Sequence, residues 1–197
     1  MDKTVYLIRH GLIQSNAEEV YAGRSSEGLT DEGKKQAHHI GQEIKSCGIE
    51  VIYTSPLQRT VQTARILNSY INAKLFEDVD LIEMDLGPWT SLSKDQVREK
   101  YPSDYRIWVD RPAQFENAAI ETLESVRERV VRSLERFLQS QPEKIAAFVT
   151  HSVAIKVAVL HYRGLSMDLY HRIEVPNLAV YRLVFNDHGN ESVERLT

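Results

Sequence analysis

Five side chains of this sequence could act together on an anion: Arg9, His10, Arg59, Glu83 and His151. Arginine forks grip oxyanions through paired N–H bonds and keep their charge at any working pH. A neutral imidazole is a competent nucleophile toward phosphorus, provided its other ring nitrogen donates to an acceptor that fixes the tautomer. Phosphoryl transfer passes through a loose transition state, so positioning and charge stabilisation carry most of the catalysis. Two arginines and a second histidine can supply both without a metal. The leaving alkoxide needs a proton, which a carboxylic acid of raised pKa can give. Glu83 is the candidate for that acid and Asp85 the runner-up.

That chemistry requires elements that bring the five residues together. Val5, Tyr6, Leu7 and Ile8 read as a buried strand that ends on Arg9, His10 and Gly11. The glycine is expected to let the backbone turn sharply and approach a ligand. A second strand covers Val51, Ile52, Tyr53 and Thr54. Ser55 then reads as the cap of a helix with Pro56 at N1 and Gln58 at N3. Arg59 falls in the first turn of that helix, near its positive end and off the buried stripe of Leu57, Val61, Ala64 and Ile71. Lys74, Leu75 and Phe76 form a short third strand, and Glu83 lies in an irregular stretch beyond it. Residues 145–149 are a further buried strand, ending on Thr150, His151 and Ser152. Helical spacing of apolar residues marks 30 to about 47, the stretch Leu123 to Phe137, and a helix through Ala154, Val157 and Ala158 closed by Gly164. Residues 178–185 read as the last strand, near an edge.

Strands alternating with helices imply a three-layer α/β/α sandwich with a mostly parallel sheet. The C-terminal strand ends then share one edge, where open α/β sheets bind ligands. Residues 90–119, interrupted by Pro102 and Pro112, read as a cap-like insertion of short helices within a single domain spanning 1–197. Its aromatic residues, Tyr101, Tyr105, Trp108 and Phe115, are expected to give the site a partly apolar wall.

The totals exclude several classes. The 197 residues carry a net charge of −4, and nucleic-acid binding wants a strongly basic face. One cysteine, Cys47, permits no internal disulfide and no Cys-x-x-Cys pair. No apolar run approaches the ~18 residues of a membrane span, and the chain enters its first strand at once, so a cytoplasmic protein is expected. Gly28 to Lys35 nearly spells a nucleotide-binding loop, but Lys35 stands where the magnesium hydroxyl is needed and no strand leads into it. His38, His39, His161, His171 and His188 show no ligand-like spacing, so no metal or cofactor is expected. The expected partner is a small-molecule phosphate ester, and the chain is expected to be a monomer or homodimer.

Taken together, these motifs resemble the histidine phosphatase superfamily, in the branch that includes cofactor-dependent phosphoglycerate mutases. Arg9-His10-Gly11, Asn16, Gly23, Leu29-Thr30, the run Ser55-Pro56-Leu57-Gln58-Arg59-Thr60, Glu83 with Gly87 and Trp89, and Thr150-His151 carry the resemblance across nearly the whole chain. It implies that His10 becomes phosphorylated, that Glu83 is the proton donor, and that Arg9, Arg59 and His151 hold the phosphoryl group. Asn16, Gly23 and Ser152 are expected to bind phosphate or substrate beside them. Leu12-Ile13, Thr90-Ser91, Ser152 and Ala119-Ile120 depart from the usual pattern, which leaves the substrate open; α-ribazole phosphate and small phosphosugars are typical for phosphatases of this kind. The expectation is a metal-independent phosphatase working through phosphohistidine on His10. The alternatives are mutase-type phosphoryl transfer and a phosphate-binding module without turnover. A pure binding module needs neither a nucleophile nor an acid, and the insertion is short for a lid that must exclude water.

Overall fold

The computed structural model describes residues 2–186 and 191–197. These form a six-stranded sheet in the order β3-β2-β4-β1-β5-β6. Its strands are β1 (Lys3–Arg9), β2 (Val51–Thr54), β3 (Lys74–Glu77), β4 (Ile145–Thr150), β5 (Val180–Phe185) and β6 (Glu191–Arg195). The first four are mutually parallel, and β5 runs antiparallel to both β1 and β6. The sequence reading ended the sheet at residues 178–185; β6 lies beyond it and takes the edge position. Its alternating polar sequence, Glu-Ser-Val-Glu-Arg, lacks the apolar run that marks a buried strand, as an edge strand can.

Both faces of the sheet are covered, and the pleat assigns side chains to each. Val5, Leu7, Val51, Ala146 and Phe148 join one core cluster, while Tyr6, Ile8, Ile52, Ala147 and Val149 join the other. The first cluster includes buried residues of α6 (Leu123–Ser140) and α7 (Ser152–Tyr162). The second takes residues from α2 (Asp31–Ile44) and α3 (Gln58–Ile71). Thr30 caps α2 as its position suggests, accepting from the Gly33 N–H at 3.0 Å.

Two local readings are corrected. Ser55 does not cap α3: the N-cap is Leu57, without a side-chain hydrogen bond, while the Ser55 hydroxyl meets His151 Nε2 at 2.8 Å and accepts from the Leu57 N–H at 3.4 Å. The buried face of α3 is Arg59, Thr60, Thr63, Ala64 and Leu67, and Arg59 is 1% exposed. Arg59, expected off the buried stripe, lies on the buried face because loop carbonyls receive it inside. Gly11 lets two backbones pack closely: a Cβ there would lie 2.6 Å from the Gly33 carbonyl oxygen. Gly33, part of the misleading nucleotide-loop pattern, presses its own backbone on that of Leu12, where a Cβ would meet the carbonyl oxygen.

Residues 90–119 contain α4 (Lys94–Lys100) and α5 (Pro102–Asp110). Trp108 is buried against Trp89, Phe115 and Tyr170, so the segment is tied to the main core by an aromatic cluster.

Candidate active site

The parallel strands end in register. Arg9 pairs with Thr150 across β1 and β4, and Thr54 with Val149 across β2 and β4. One residue further, the His10 N–H donates to the Thr150 carbonyl at 3.0 Å and the Ser55 N–H to the Val149 carbonyl at 3.0 Å. The sheet thus delivers Arg9, His10, Ser55 and His151 to one edge. Beyond it opens a cleft of about 410 Å³ lined by, among others, Arg9, His10, Asn16, Gly23, Arg59, Glu83 and Ser152. His151 is fully buried behind this surface, its ring centroid 5.3 Å from that of His10. Asp85 lies outside: its carboxylate accepts from the Gly87 N–H at 2.9 Å and stands 3.6 Å from Arg24.

His10 is held in one tautomer. Its Nδ1 lies 2.7 Å from the Gly11 carbonyl oxygen, an acceptor only, so Nδ1 carries the proton and Nε2 keeps its lone pair. Burial, then the charges of Arg9 and Arg59, push its pKa well below the usual histidine value. His151 is depressed likewise, by burial first and then Arg59. Its Nε2 meets the Ser55 hydroxyl. With that hydroxyl donating, the proton of His151 resides on Nδ1.

The arginines are clamped by backbone oxygens. Arg59 donates to the Gly23 carbonyl at 2.7 Å and to the Ser25 carbonyl at 2.8 Å; Arg9 donates to the Val175 carbonyl at 2.7 Å. Gly23, at φ +48°, turns its loop where a Cβ would strike the Thr90 hydroxyl at 2.8 Å. Carbonyls orient a guanidinium without neutralising it, so both charges remain available to an anion. Three buried nitrogens here, Arg9 Nε, Arg59 Nε and His151 Nδ1, find no acceptor among the described residues. Buried donors are ordinarily paired at a cost of ~1–3 kcal/mol when they are not, and three in one place suit an oxyanion.

Glu83 is the buried carboxyl of the cleft. Burial raises its pKa, outweighing the Met84 N–H at 2.9 Å and the Arg59 charge, which pull it down. Its segment is fixed from behind. Arg129 donates to the Asp80 carbonyl at 2.8 Å, to the Ile82 carbonyl and to the Glu121 carboxylate at 2.8 Å. Glu121 also accepts from the Asp85 N–H at 3.1 Å. Arg24 donates to the Glu83 carbonyl at 2.9 Å. The arrangement can bind a phosphate ester, present a neutral nucleophile to it, and hand a proton to the departing oxygen.

A family model, histidine phosphatase superfamily (branch 1), matches residues 5–196. The chain belongs to the histidine phosphatase superfamily. Phosphoserine phosphatase 1 of Hydrogenobacter thermophilus is 32% identical over 164 residues, 83% of this chain and 78% of the relative. A probable phosphoglycerate mutase, GpmB of Cronobacter sakazakii, is 31% identical over 179 residues, 91% of this chain and 83% of the relative. The solved structure of Bacillus stearothermophilus YhfR superposes with a TM-score of 0.91 over 98% of this chain and 96% of that one, at 22% identity. These relatives support phosphatase or mutase activity for this histidine phosphatase, on the shared phosphoglycerate mutase-like fold.

Several lining residues escaped the sequence reading. Of the aromatic wall expected from 90–119, only Trp108 reaches the cleft; Tyr21 and Tyr170 supply the rest. Tyr101, Tyr105 and Phe115 pack with the core instead. Asn177 donates to the Asn16 side chain at 2.9 Å and the His10 carbonyl at 3.2 Å. His171, which its spacing gave no ligand role, lines the cleft, as do Lys94 and Lys156. Lys156 had a visible signal: it is the one lysine, arginine or carboxylate in the apolar helix α7. His188 lies outside the described residues. His161 sits with Arg127, at 3.2 Å, away from the cleft lining. Among the described residues no cluster of three His, Cys, Asp or Glu could hold a metal, and no helix is long and apolar enough to cross a membrane.

Proposed function

We propose that this histidine phosphatase hydrolyses a small-molecule phosphate monoester through a phosphohistidine on His10, without a metal. The observation that carries the reading is the Nδ1 bond of His10 to the Gly11 carbonyl, which reserves Nε2 for attack beside two arginines that no carboxylate among the described residues neutralises at close range. The Nε2 lone pair forms the N–P bond while the P–O ester bond breaks. The departing oxygen takes the proton of Glu83. Arg9, Arg59 and the Nδ1–H of His151 stabilise the charge on the phosphoryl oxygens, with Asn16, Gly23 and Ser152 beside them. In the second step the Glu83 carboxylate removes a proton from water, whose oxygen bonds to phosphorus as the N–P bond breaks. Inorganic phosphate leaves, and His10 is again neutral.

The test is hydrolysis of p-nitrophenyl phosphate and a panel of alkyl phosphates in EDTA. Turnover survives the chelator, vanadate inhibits as a mimic of five-coordinate phosphorus, and His10→Ala abolishes an acid-labile phosphoenzyme. Wild-type turnover by His10→Ala, or activity lost in EDTA and restored by a metal, overturns the reading. Mutase-type transfer is favoured by the second relative's name, and the same enzyme decides it. Given 3-phosphoglycerate and catalytic 2,3-bisphosphoglycerate, isomerisation far faster than every hydrolysis makes it a mutase.

A further inference from the structure

Two ammonium groups on the wall of the cleft have no part in the reaction above. Lys156 projects from α7, its Nζ 4.5 Å from the centre of the Tyr170 ring. Lys94 opens α4 at the exposed rim. Among the described residues neither has a carboxylate within 4 Å, whereas Lys34 pairs with Asp31 and Lys74 with Glu143. His171 stands between Trp108, whose carbonyl its Nε2 meets at 2.8 Å, and the field of both lysines, which lower its pKa after burial does. The lining of the cleft carries four fixed cations, Arg9, Arg59, Lys94 and Lys156, against two carboxylates, Glu19 and Glu83. A phosphoryl dianion answers the two arginines. Two ammoniums remain, with one carboxylate at the mouth and a Glu83 that burial biases toward its neutral form.

Holding an unpaired ammonium in a half-buried, cationic place is unfavourable, and Lys156 records it: burial, then Arg9, lowers its pKa to about 8. An anion beside it would relieve both effects. Trp108 and Tyr170 line the same cleft as the two arginines and the two lysines, and Arg9 is the largest charge effect on Lys156. A small ligand filling this one cleft would meet both pairs of cations.

We propose that Lys156 and Lys94 form a subsite for a second anionic group on the organic part of the substrate, so that preferred substrates are small phosphate monoesters bearing a further carboxylate or phosphate. This rests on the phosphatase reading for turnover, but the subsite is measurable by binding alone. Two pairs of ligands isolate the charge: 3-phosphoglycerate against glycerol 3-phosphate for a carboxylate, and fructose 1,6-bisphosphate against fructose 6-phosphate for a phosphate. Calorimetry on His10→Ala, which binds without turnover, should show the more acidic member of at least one pair bound about tenfold tighter or more, the scale of a charge-assisted hydrogen bond. Lys156→Met in that background should reduce the preference to within about twofold, and Lys156→Arg should retain most of it. Lys94→Met, at an exposed position, should reduce it partly and provides the test if Lys156→Met fails to fold. Equal binding of both members in both pairs overturns the subsite. So does equal weakening of both members by Lys156→Met, which would make Lys156 a phosphoryl contact. The corresponding kcat/KM ratios of the His10 enzyme separate the two readings. Preference without hydrolysis sinks the phosphatase and keeps the subsite, whereas hydrolysis without preference does the reverse.

Discussion

At the scale of single residues, the cleft sets three titratable groups, each shifted toward its neutral form, beside two permanent cations. His10 and His151 are neutral because protonating them would bury a charge next to Arg9 and Arg59. Glu83 is shifted toward its protonated form because ionising it would also bury a charge, and the nearby arginines only partly offset that. A donor of this kind matters most when the leaving group is basic. Glu83→Gln should therefore slow alkyl phosphates by about 10²-fold or more, the range of general acid catalysis, and p-nitrophenyl phosphate much less. The raised pKa also sets a sign: activity on alkyl phosphates falls as pH rises through it, and the Gln variant loses that limb. Equal slowing of both substrates would move the role elsewhere, with Asp85 tested next. Ser55 makes a quieter contribution. Removing its hydroxyl leaves His151 Nε2 without a partner, and Ser55→Ala should cost about 1 kcal/mol, roughly five- to tenfold in kcat/KM, without changing the leaving-group dependence.

At the scale of elements, the strand ends that aim Arg9, His10 and His151 were legible in the sequence. Apolar runs stopped by polar residues survive any uncertainty about where a helix starts. The clamp behind Glu83 was not, because it joins residues far apart in sequence through backbone oxygens that no pattern displays. Arg129, on α6, is 9% exposed and spans Asp80, Ile82 and Glu121. Burial alone would raise the Glu121 carboxyl, but Arg129 turns the net shift downward, so the pair is charged, with Arg129 buried and Glu121 partly so. Breaking such a pair from one side costs about 3–5 kcal/mol. Arg129→Met should lose about that much in urea unfolding and, in the folded fraction, should impair alkyl phosphates more than p-nitrophenyl phosphate. A loss of stability with unaltered leaving-group dependence would confine Arg129 to the fold. Arg59 teaches the converse lesson. Its helix and its place near the site were visible, but its apolar stripe did not include it, and the carbonyls of Gly23 and Ser25 explain why it is buried. Lys156 comes from a helix and not from a strand end, and the single charge in α7 was itself the sign.

At the scale of the molecule, the neutral groups of the cleft couple its chemistry to folding. A histidine has a pKa near 6.5 when exposed in the unfolded chain, and in the fold both His10 and His151 lie well below that. As pH falls below about 6.5 the unfolded chain takes up protons that the folded one refuses. The stability these two residues permit is therefore fully present above that pH and is lost as the pH drops toward their folded values. Glu83 has the opposite sign. Its folded pKa is raised, so its contribution is present below the unfolded carboxyl value and is lost as pH rises through the folded one. Below pH 6.5, wherever Glu83 titrates in the fold, the two effects oppose, and two histidines stand against one carboxyl. Each histidine that titrates only in the unfolded chain contributes up to about 1.4 kcal/mol per pH unit. Urea midpoints of the wild-type protein should therefore fall as pH is lowered across this window. His151→Asn should flatten that slope, whatever it does to stability at pH 7, and Glu83→Gln should steepen it by removing the opposing term. A slope unchanged by His151→Asn would mean that this buried ring binds its proton in the folded protein, and the neutral second histidine of the proposed mechanism would have to be abandoned.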